Sequence, residues 1–319
     1  MIKVLSVTNV YLPKGLNQKQ SSFVRDQIDA FKRYHPEVDF TLYTIRGFEN
    51  KFNYVKSIWE VNRLIRSGVY DIVHIHYGIS GLFMLFGIKP NVPVIATLHG
   101  GDIQIEQGKK WQVLLTKKII KKCDYVISLN ERMKSIVEEY NKNTSIIPCS
   151  VDTEFFQPTS RKRNDVVKII FPGSLDRPVK NHPLFLETIK VLQDKYGYKV
   201  EEIDFNNISR EEVRNNYKKA DLVLLTSISE GSPGVIKEGM ASNLPIVSTN
   251  VGDVAPNLEG VANCAVAQKM DPDELAFLCD SCLKNEIPGM TGREKLARLG
   301  FDDKTICDRI YNLYNDLMR

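Results

Sequence analysis

Residues 221–249 read DLVLLTSISEGSPGVIKEGMASNLPIVST. An apolar run comes first, a turn rich in serine and glycine follows it, and a second apolar run comes after an amphipathic segment. Within that segment Val235, Ile236 and Met240 recur at helical spacing. Asn243 then belongs to a residue type that ends helices in the left-handed conformation. The stretch therefore predicts strand, helix and strand in succession, which is the repeating unit of a parallel sheet.

The same alternation continues along the chain on both sides of this stretch. One series of apolar runs is IKVLSV, DFTLYTI, DIVHIH, PVIATLH, YVISLN and SIIP, and a second series begins with KIIFPG and VEEIDF. Helical patterns fall between several of them, so we predict an α/β protein with two Rossmann-like, doubly wound domains facing a cleft. We expect the domains to span residues 1–155 and 156–302, and the last helix, at about residues 303–319, to pack back on the first.

The 319-residue chain has the composition of an ordinary globular protein, with 43% hydrophobic and 26% charged residues. Its longest apolar stretch, Gly78 to Ile88, is too short to span a bilayer. Its first residues, MIKVLSVTNVYLP, lack the pattern of a signal peptide, so we expect a cytoplasmic protein. Six scattered cysteines include one C-x-x-C pair inside the predicted helix DELAFLCDSCLKN. They favour reduced structural thiols over a metal or redox site.

Charge is unevenly distributed along the chain. Residues 1–150 carry 21 Lys and Arg against 13 Asp and Glu, a balance of +8, whereas the remainder has a balance of −4. A basic half suits an anionic partner, and phospholipid, a phosphorylated substrate or nucleic acid would each fit. The stretch GKKWQVLLTKKIIKKC has six lysines and no acid. Residues 109–122 therefore predict a basic amphipathic helix, which lies either on an anionic membrane or with its apolar face in the core. No recognised motif accompanies the charge, which disfavours nucleic acid.

The turn before the helix in the opening stretch predicts an anion-binding site. Ser232 is a good N-cap residue, and Pro233 suits the first helical position. A helix that starts at the carboxyl end of a strand offers free backbone N–H groups and the positive end of its dipole. Gly231 and Gly234 allow a ligand to approach the backbone closely.

Two acids bracket this turn. Glu230 stands at its mouth, and Glu238 lies roughly 9 Å further along the helix axis. A phosphate bound at the helix start would then have one carboxylate near each of the two chemical groups attached to it. To bind these carboxylates, both groups would need hydroxyls, which sugars have. The spacing alone could arise by chance, but the cap, the glycines and the acids share one strand-to-helix junction, which favours a functional site.

Neither domain has G-x-G-x-x-G after its first strand, which disfavours a dinucleotide-dependent oxidoreductase. Instead, SEGSPGVIKEGMASNLPIVSTNVGDV resembles the signature of retaining glycosyltransferase family 4, which runs Glu-Gly-x-Pro, Glu-Ala-Met-Ala, a small residue, proline and a strand. Other segments resemble those of the family in the same order, among them IKVLSVTNVYLP, VIATLHGGD, SIIPCSVDTEFFQP and IIFPGSLDRPVKNHPLFLETIKVL. The resemblance covers most of the chain and implies the two-domain GT-B fold. Within the family, the chain looks most similar to bacterial enzymes of surface-polysaccharide assembly.

The resemblance implies a donor site in the second domain. By position, Glu230 contacts hydroxyls of the donor sugar, Glu238 binds the ribose hydroxyls and Lys180 neutralises the diphosphate. Backbone amides of Gly231 to Val235 hold the sugar and the distal phosphate. The implied donor-binding residues are Gly15, Ser174, Arg177, Lys180, Glu230, Gly231, Ser232, Pro233, Gly234, Val235 and Glu238.

The chain departs from the family at several positions. Ser174 stands where the family usually has a basic residue, and Arg177, unless it is a surface residue, is the nearest side chain that could supply the charge. Gly239 replaces the usual alanine, at a helix cost of about 1 kcal/mol. The segment KVEEIDFNNISREEV lacks the family's Gly-x-Gly loop, helix and further strand. We therefore expect a shortened second domain, with the base pocket around residues 206–208.

The resemblance places the acceptor in the first domain. His99 follows the strand PVIATL and is expected to orient the reacting hydroxyl or the sugar. Asp102 either binds acceptor hydroxyls or caps a helix, and the segment from Gly15 to Phe23 is expected to approach the diphosphate or the acceptor. His74 and His76 alternate onto one strand face, which favours a structural role. The implied catalytic residues are His99, Asp102, Lys180 and Glu230.

The implied reaction is a retaining, metal-independent transfer of a hexose or N-acetylhexosamine from a nucleotide diphosphate sugar. We expect a UDP-sugar in preference to a GDP-sugar, and a glycan or lipid-diphosphate-linked saccharide as acceptor in cell-surface polysaccharide biosynthesis. No cofactor or metal is expected, because the DPD at residues 271–273 predicts a helix cap. Two alternatives remain open: a sugar-nucleotide epimerase of the same fold, and a non-catalytic partner subunit of a glycosyltransferase complex.

Overall fold

The computed structural model describes residues 1–9, 23–87, 90–105, 109–158, 165–175, 177–206 and 208–319. Within these residues the chain divides into two compact units. The first unit contains Met1–Cys149 and Lys304–Arg319, and the second contains Ser150–Asp303. The division falls between Cys149 and Ser150, slightly before the boundary expected at residue 155.

The first unit is built on a parallel sheet. Its strands are β1 (Ile2–Thr8), β2 (Val38–Thr44), β3 (Ile72–His76), β4 (Val94–Thr97), β5 (Tyr125–Ser128) and β6 (Thr144–Ile146), in the spatial order β2-β1-β3-β4-β5-β6. The connecting helices are α1 (Phe23–Tyr34), α2 (Phe52–Arg66), the 3-10 helix Gly78–Met84, α3 (Lys110–Ile120) and α4 (Glu131–Glu138). One face of the sheet packs against α2, the 3-10 helix, α3 and α4 through a core that includes Val61, Leu82, Ile119 and Met133.

The second unit repeats this arrangement with a smaller sheet. Its strands are β7 (Val166–Phe171), β8 (Lys199–Asp204), β9 (Leu222–Leu225), β10 (Ile246–Thr249) and β11 (Cys264–Ala267), all parallel, in the order β11-β10-β9-β7-β8. Its helices are α5 (His182–Tyr196), α6 (Arg210–Lys219), α7 (Gly234–Ala241), α8 (Val254–Leu258), α9 (Pro272–Leu283) and α10 (Gly292–Leu299). Among the residues described between α5 and α6, only β8 is present, as the shortened sequence predicts.

The C-terminal helix α11 (Asp303–Met318) packs with α1 on the other face of the first sheet. Phe31 of α1 and Tyr314 of α11 share that core. His35, just after α1, places Nε2 2.8 Å from Asp308 Oδ1 of α11. None of the helices in the described part of the chain is both long and apolar enough to cross a bilayer.

In each sheet the strand order reverses beside the first strand of the unit. β1 lies between β2 and β3, and β7 lies between β8 and β9. Ligands of doubly wound sheets bind at the carboxyl ends of the strands beside such a reversal. In the second unit, the segments after β7 and β9 carry Lys180 and Glu230. The fold thus confirms the prediction of two Rossmann-like α/β domains and brings these two predicted residues to one edge of the sheet.

Candidate active site

Lys180 and Glu230 form an ion pair in the second unit. Lys180 Nζ lies 2.7 Å from Glu230 Oε1, and Ser227 Oγ donates to the same oxygen at 2.7 Å. The two side chains are 10% and 14% exposed. They meet because parallel neighbouring strands end at the same edge of the sheet. The predicted donor-site cation and the predicted sugar-binding acid therefore neutralise each other in largely buried surroundings.

The loop after β7 is fixed so that Lys180 reaches this position. A single 3-10 turn, Pro178–Lys180, is followed by Asn181 at φ 53°. Thr226 Oγ1 donates to the Lys180 carbonyl at 3.1 Å, which ties this loop to the end of β9. The lysine stem crosses Gly173 so closely that a Cβ there would lie 3.0 Å from Lys180 Cγ. Glycine at this position leaves room for the stem.

Two other predicted donor residues lie on the same loop. Ser174 is half-buried, and its Oγ is 3.5 Å from Asn206 Oδ1 after β8. Arg177 is exposed at the start of the 3-10 turn. Gly15 and most of the segment from Gly15 to Phe23 lie outside the described residues.

Helix α7 starts differently from the prediction. It begins at Gly234 with Pro233 at the N-cap position, and no side chain of the described residues caps its first turn. Ser232 instead donates its hydroxyl to Asp253 Oδ2 at 2.5 Å and accepts from Lys237 Nζ at 2.6 Å. The prediction that Ser232 caps the helix is wrong because a buried acid and a buried lysine hold its hydroxyl. The amino end of α7 is consequently left without a side-chain cap, as an anion site requires.

Glu238 turns back along α7 towards its amino end. Its Oε1 is 3.9 Å from the place where a Cβ on Gly234 would lie, as expected for residues four apart on one helix face. Arg210 Nη1 donates to the same oxygen at 2.5 Å. Burial raises the pKa of Tyr217, and the adjacent Glu238 carboxylate raises that pKa further. Glu238 is therefore held between a guanidinium and a tyrosine.

Arg210 is a site residue that the sequence interpretation missed. It is the first residue of α6, whose start is fixed by a capping box between Ser209 and Glu212. Its guanidinium also lies 4.6 Å from the Phe156 ring centroid, a cation–π distance. The S-x-x-E pattern could have placed Arg210 in a first turn, but its pairing with Glu238, 28 positions away, follows only from the packing of α6 beside α7.

In the first unit, Asp102 holds two loops together. The side chain is fully buried and accepts from the His99 N–H at 3.0 Å and from the Gly78 N–H at 2.9 Å. Burial raises the pKa of Asp102 to about 6, although these backbone N–H groups lower it. Of the two roles considered for Asp102, capping a helix that follows it is not observed, because residues 101–103 form a turn, and binding acceptor hydroxyls stays a prediction.

His99 belongs to a ladder of aromatic rings. Its ring stacks on Phe23 with centroids 3.9 Å apart and lies 5.8 Å from the His76 ring. The His76 ring stacks in turn on His74 at 4.3 Å. Burial lowers the pKa of all three histidines, so they are neutral near pH 7. They cannot serve as the positive charges of the first unit.

The ring nitrogens of the ladder differ in their partners. His74 is satisfied on both sides, by Tyr314 at 2.6 Å and Thr97 at 2.7 Å, which agrees with a structural role. His99 Nε2 and His76 Nδ1 are buried, and neither has a hydrogen-bond partner among the described residues. His99 thus has one buried ring nitrogen without a partner among these residues, and its contact with the acceptor stays a prediction.

The remaining metal and thiol candidates have structural explanations. Asp271 Oδ1 accepts from the Glu274 N–H at 2.9 Å and caps α9, as predicted for the DPD stretch. Cys279 and Cys282 are fully buried free thiols, and burial raises the pKa of each. Within the described ranges, no group of three or more His, Cys, Asp or Glu side chains is placed to hold a metal ion.

Comparison with known proteins gives two family matches that follow the two units. Residues 23–155 match the model of Glycosyltransferase Family 4, and residues 166–285 match the model of Glycosyl transferases group 1. The chain is 26% identical to the Escherichia coli UDP-Gal:alpha-D-GlcNAc-diphosphoundecaprenol alpha-1,3-galactosyltransferase, over 83% of this chain and 80% of that protein.

Solved structures show the same fold over nearly the whole chain. Sucrose-phosphate synthase from Thermosynechococcus elongatus superimposes with a TM-score of 0.78 at 15% identity, over 99% of both chains. HepE of Anabaena, solved in complex with UDP-glucose, superimposes with a TM-score of 0.72 at 15% identity, over 99% of this chain and 100% of that one.

The contact between Arg210 and Glu238 predicts a strong energetic coupling. Arg210→Met should lower the free energy of unfolding by about 1–3 kcal/mol, because it leaves a largely buried carboxylate without its partner. Adding Glu238→Gln should recover much of that loss, since both charges are then absent. Urea denaturation of the single and double variants measures the coupling.

Arg214→Met is the matched control on the same helix, because its guanidinium lies over Phe155 and not beside Glu238. It should show no coupling with Glu238→Gln. Additive costs for Arg210→Met and Glu238→Gln would contradict the assigned contact.

Proposed function

The chain belongs to glycosyltransferase family 4 and has the GT-B fold, and on that premise we propose the reaction. The protein transfers a hexose or N-acetylhexosamine from a nucleotide diphosphate sugar to a glycan or lipid-linked saccharide. The observation that carries this proposal is the grouping of Lys180, Glu230 and Ser227 at a sheet edge. It lies in the unit whose helix α7 also has an uncapped amino end.

The donor binds to the second unit. Its diphosphate competes with Glu230 for Lys180 Nζ and receives further stabilisation from the amino end of α7. Glu230, once released by Lys180, accepts hydrogen bonds from hydroxyls of the transferred sugar. Glu238, fixed by Arg210, accepts from the ribose hydroxyls. The Lys180–Glu230 pair thus exchanges its internal contact for complementary groups of the ligand, whereas the Arg210–Glu238 pair stays in place.

We infer UDP as the nucleotide and a lipid-diphosphate-linked saccharide as the acceptor. The names of two similar proteins support this choice, since one is an enzyme acting on UDP-Gal and a diphosphoundecaprenol-linked sugar and the other is solved with UDP-glucose. The balance of +8 in residues 1–150 also suits an acceptor that carries phosphates. The product then belongs to cell-surface polysaccharide biosynthesis.

The transfer proceeds with retention and without a metal. The acceptor oxygen forms its bond to the anomeric carbon on the face from which the diphosphate leaves. The bond from that carbon to the phosphate oxygen breaks, and the same phosphate oxygen takes the acceptor hydroxyl proton. Negative charge develops on the departing diphosphate, where Lys180 and the dipole of α7 stabilise it electrostatically. His99, neutral and with a buried Nε2, orients the reacting hydroxyl or the sugar.

A screen of UDP- and GDP-sugars with lipid-diphosphate saccharide acceptors, following nucleotide release, tests the reaction. Lys180→Met and Glu238→Gln should each lower turnover by at least about 100-fold, because each removes a group that acts on the donor. Lys195→Met is the control, since this lysine is exposed and pairs only at the surface with Asp273. The anomeric configuration of the product, determined by NMR, tests retention.

The double variant Lys180→Met with Glu230→Gln restores charge balance and should remain inactive. Near-normal turnover in Lys180→Met or in Glu238→Gln would contradict the proposed donor site. Consumption of donor without any acceptor would identify an epimerase instead, and failure to bind every nucleotide sugar would identify a non-catalytic subunit.

Asp102 gives the activity a pH dependence. Its pKa of about 6 means that acid protonates the carboxylate that accepts from the His99 and Gly78 N–H groups, which weakens these two hydrogen bonds. We expect kcat/KM to fall below an apparent pKa of about 6, and Asp102→Asn to be low and flat from pH 5 to pH 8. The free energy of unfolding depends on pH in the opposite sense to activity. A raised pKa means that the folded protein binds the Asp102 proton more tightly than the unfolded chain does, so this contribution to stability is lost as pH rises through about 6.

The control for this profile is His35→Gln, which removes a histidine from the first unit outside the ladder. It should keep the acid limb, because the limb is assigned to Asp102. Persistence of the limb in Asp102→Asn would refute the assignment.

We further propose that residues 109–122 rest on an anionic membrane surface, which places the protein at the cytoplasmic face. The structure divides α3 into two faces. Val113, Ile119 and Ile120 are buried in the core, whereas Trp111 and Leu114 are 53% and 62% exposed. The inner face of this helix packs in the core, and the proposal rests on its outer face, which combines apolar residues with lysines.

Helix α2 also has exposed aromatic residues. It packs on the same side of the sheet as α3, and its Phe52 and Trp59 are 64% and 69% exposed. Exposed aromatic residues beside lysines suit the interface of a bilayer with anionic headgroups, where charge and apolar burial act together.

Vesicle binding tests this surface. Replacing the four exposed or half-exposed lysines of α3 and its end by glutamine should weaken binding to phosphatidylglycerol-containing vesicles by at least about tenfold, and should spare activity on a soluble acceptor. The lysines are Lys117, Lys118, Lys121 and Lys122.

The charge-matched control replaces four exposed lysines of the second unit by glutamine and should bind vesicles like the wild type. These are Lys195, Lys199, Lys218 and Lys219. An equal loss of vesicle binding in both variants would mean that net charge alone determines binding, and it would contradict a specific membrane-binding surface.

A further inference from the structure

Lys237 is a fully buried lysine in the second unit that the mechanism above does not use. Its Nζ donates to Ser232 Oγ at 2.6 Å and lies 3.9 Å from Asp253 Oδ2. The ammonium also lies 5.1 Å from the Phe301 ring centroid. Ser232 in turn donates to Asp253 Oδ2 at 2.5 Å. We call Ser232, Lys237 and Asp253 the buried triad.

A charge buried to this extent carries a large desolvation cost, and an ion pair in the interior is weak evidence for stability. Apolar side chains of similar size would fill the same space at least as well. The triad therefore invites a role other than holding the core together. The triad determines the direction of the Ser232 hydroxyl, which donates a hydrogen bond to Asp253 and accepts one from Lys237.

The direction of that hydroxyl matters for α7. Serine hydroxyls readily bond to backbone N–H groups two or three residues further along, which here belong to Gly234 and Val235. In the described part of the chain, no side chain caps the first turn of α7. The triad thus draws away the one serine that could occupy the amino end of this helix.

Asp253 also comes from a segment that packs directly on the donor loop. Gly252 has φ +58°, and a Cβ there would lie 2.5 Å from the Gly231 carbonyl oxygen. Asp253 is itself 8% exposed. The triad consequently links three pieces of chain, namely the side of α7, the turn at Ser232 and the segment at Gly252 and Asp253.

We propose that Lys237 and Asp253 are positioning residues that keep the Ser232 hydroxyl off the amino end of α7. The Gly234 and Val235 amides then stay open to the distal phosphate and the sugar of the donor. This inference rests on the proposed function for the identity of the ligand, but the state of the helix end is a property of the protein alone.

The test is the double variant Lys237→Met with Asp253→Leu, which removes both charges and both hydrogen-bond partners of Ser232 and keeps side chains of similar size. The released Ser232 hydroxyl should then bond to the first turn of α7. Amide hydrogen exchange of the ligand-free protein should slow at Gly234 and Val235, and the Kd for UDP measured by calorimetry should rise about tenfold.

Adding Ser232→Ala to the double variant should reverse both effects, because alanine cannot bond to these amides. The control is Thr188→Val, which removes a buried hydroxyl of the same unit that donates only within its own helix. It should leave exchange at α7 and the Kd unchanged. A merely structural role for the triad would change stability without this reversal.

Unchanged exchange at Gly234 and Val235 in the double variant would overturn the inference, as would a Kd for UDP equal to that of the wild type. If the wild-type protein binds no UDP, the proposed donor is wrong. The exchange measurement on the ligand-free protein would still decide what the triad does.

Discussion

The ion pair between Lys180 and Glu230 is the interaction on which the proposed donor site of the second unit depends. It joins residues 50 positions apart in the chain, and it exists because β7 and β9 are neighbours in a parallel sheet. Gly173 gives the lysine stem its space, and Ser227 fixes the carboxylate from the other loop. With one partner displaced, the other would remain as a largely uncompensated charge.

The same compensation recurs around α7. Glu238 is matched by Arg210 from α6, and Asp253 lies within 3.9 Å of Lys237. This matching explains how residues 151–319, whose charge balance is −4, can accommodate the proposed diphosphate. Each cation is held close to the site by an acid, and an anionic ligand with hydroxyl groups can take both partners at once. The arrangement keeps the empty site neutral and the occupied site complementary.

Sequence patterns were sufficient for the fold, because the fold follows from short-range signals, whereas the roles of the loop residues Lys180 and Glu230 came from the family resemblance and stay predictions. Alternating apolar runs predicted the two sheets, and the turn rich in glycine and serine predicted the strand-to-helix junction. They were insufficient where two distant elements meet. Arg210 reaches Glu238 across 28 positions and Ser232 reaches Asp253 across 21. Ser232 looked like a cap because its local sequence is that of a cap, and only the buried partners change the direction of its hydroxyl.

The first unit has a different arrangement at the carboxyl ends of its strands. Three neutral histidines form a ladder, and a buried Asp102 joins the loops after β3 and β4. Its charge lies outside this ladder, on exposed lysines. The proposed donor site lies in the second unit, and a crystal structure of the protein bound to UDP tests it most directly. The account predicts the distal phosphate at the amino end of α7, Lys180 Nζ within hydrogen-bond distance of it, and Glu238 on the ribose. A diphosphate bound elsewhere, or Lys180 still paired with Glu230 at 2.7 Å in the complex, would contradict it.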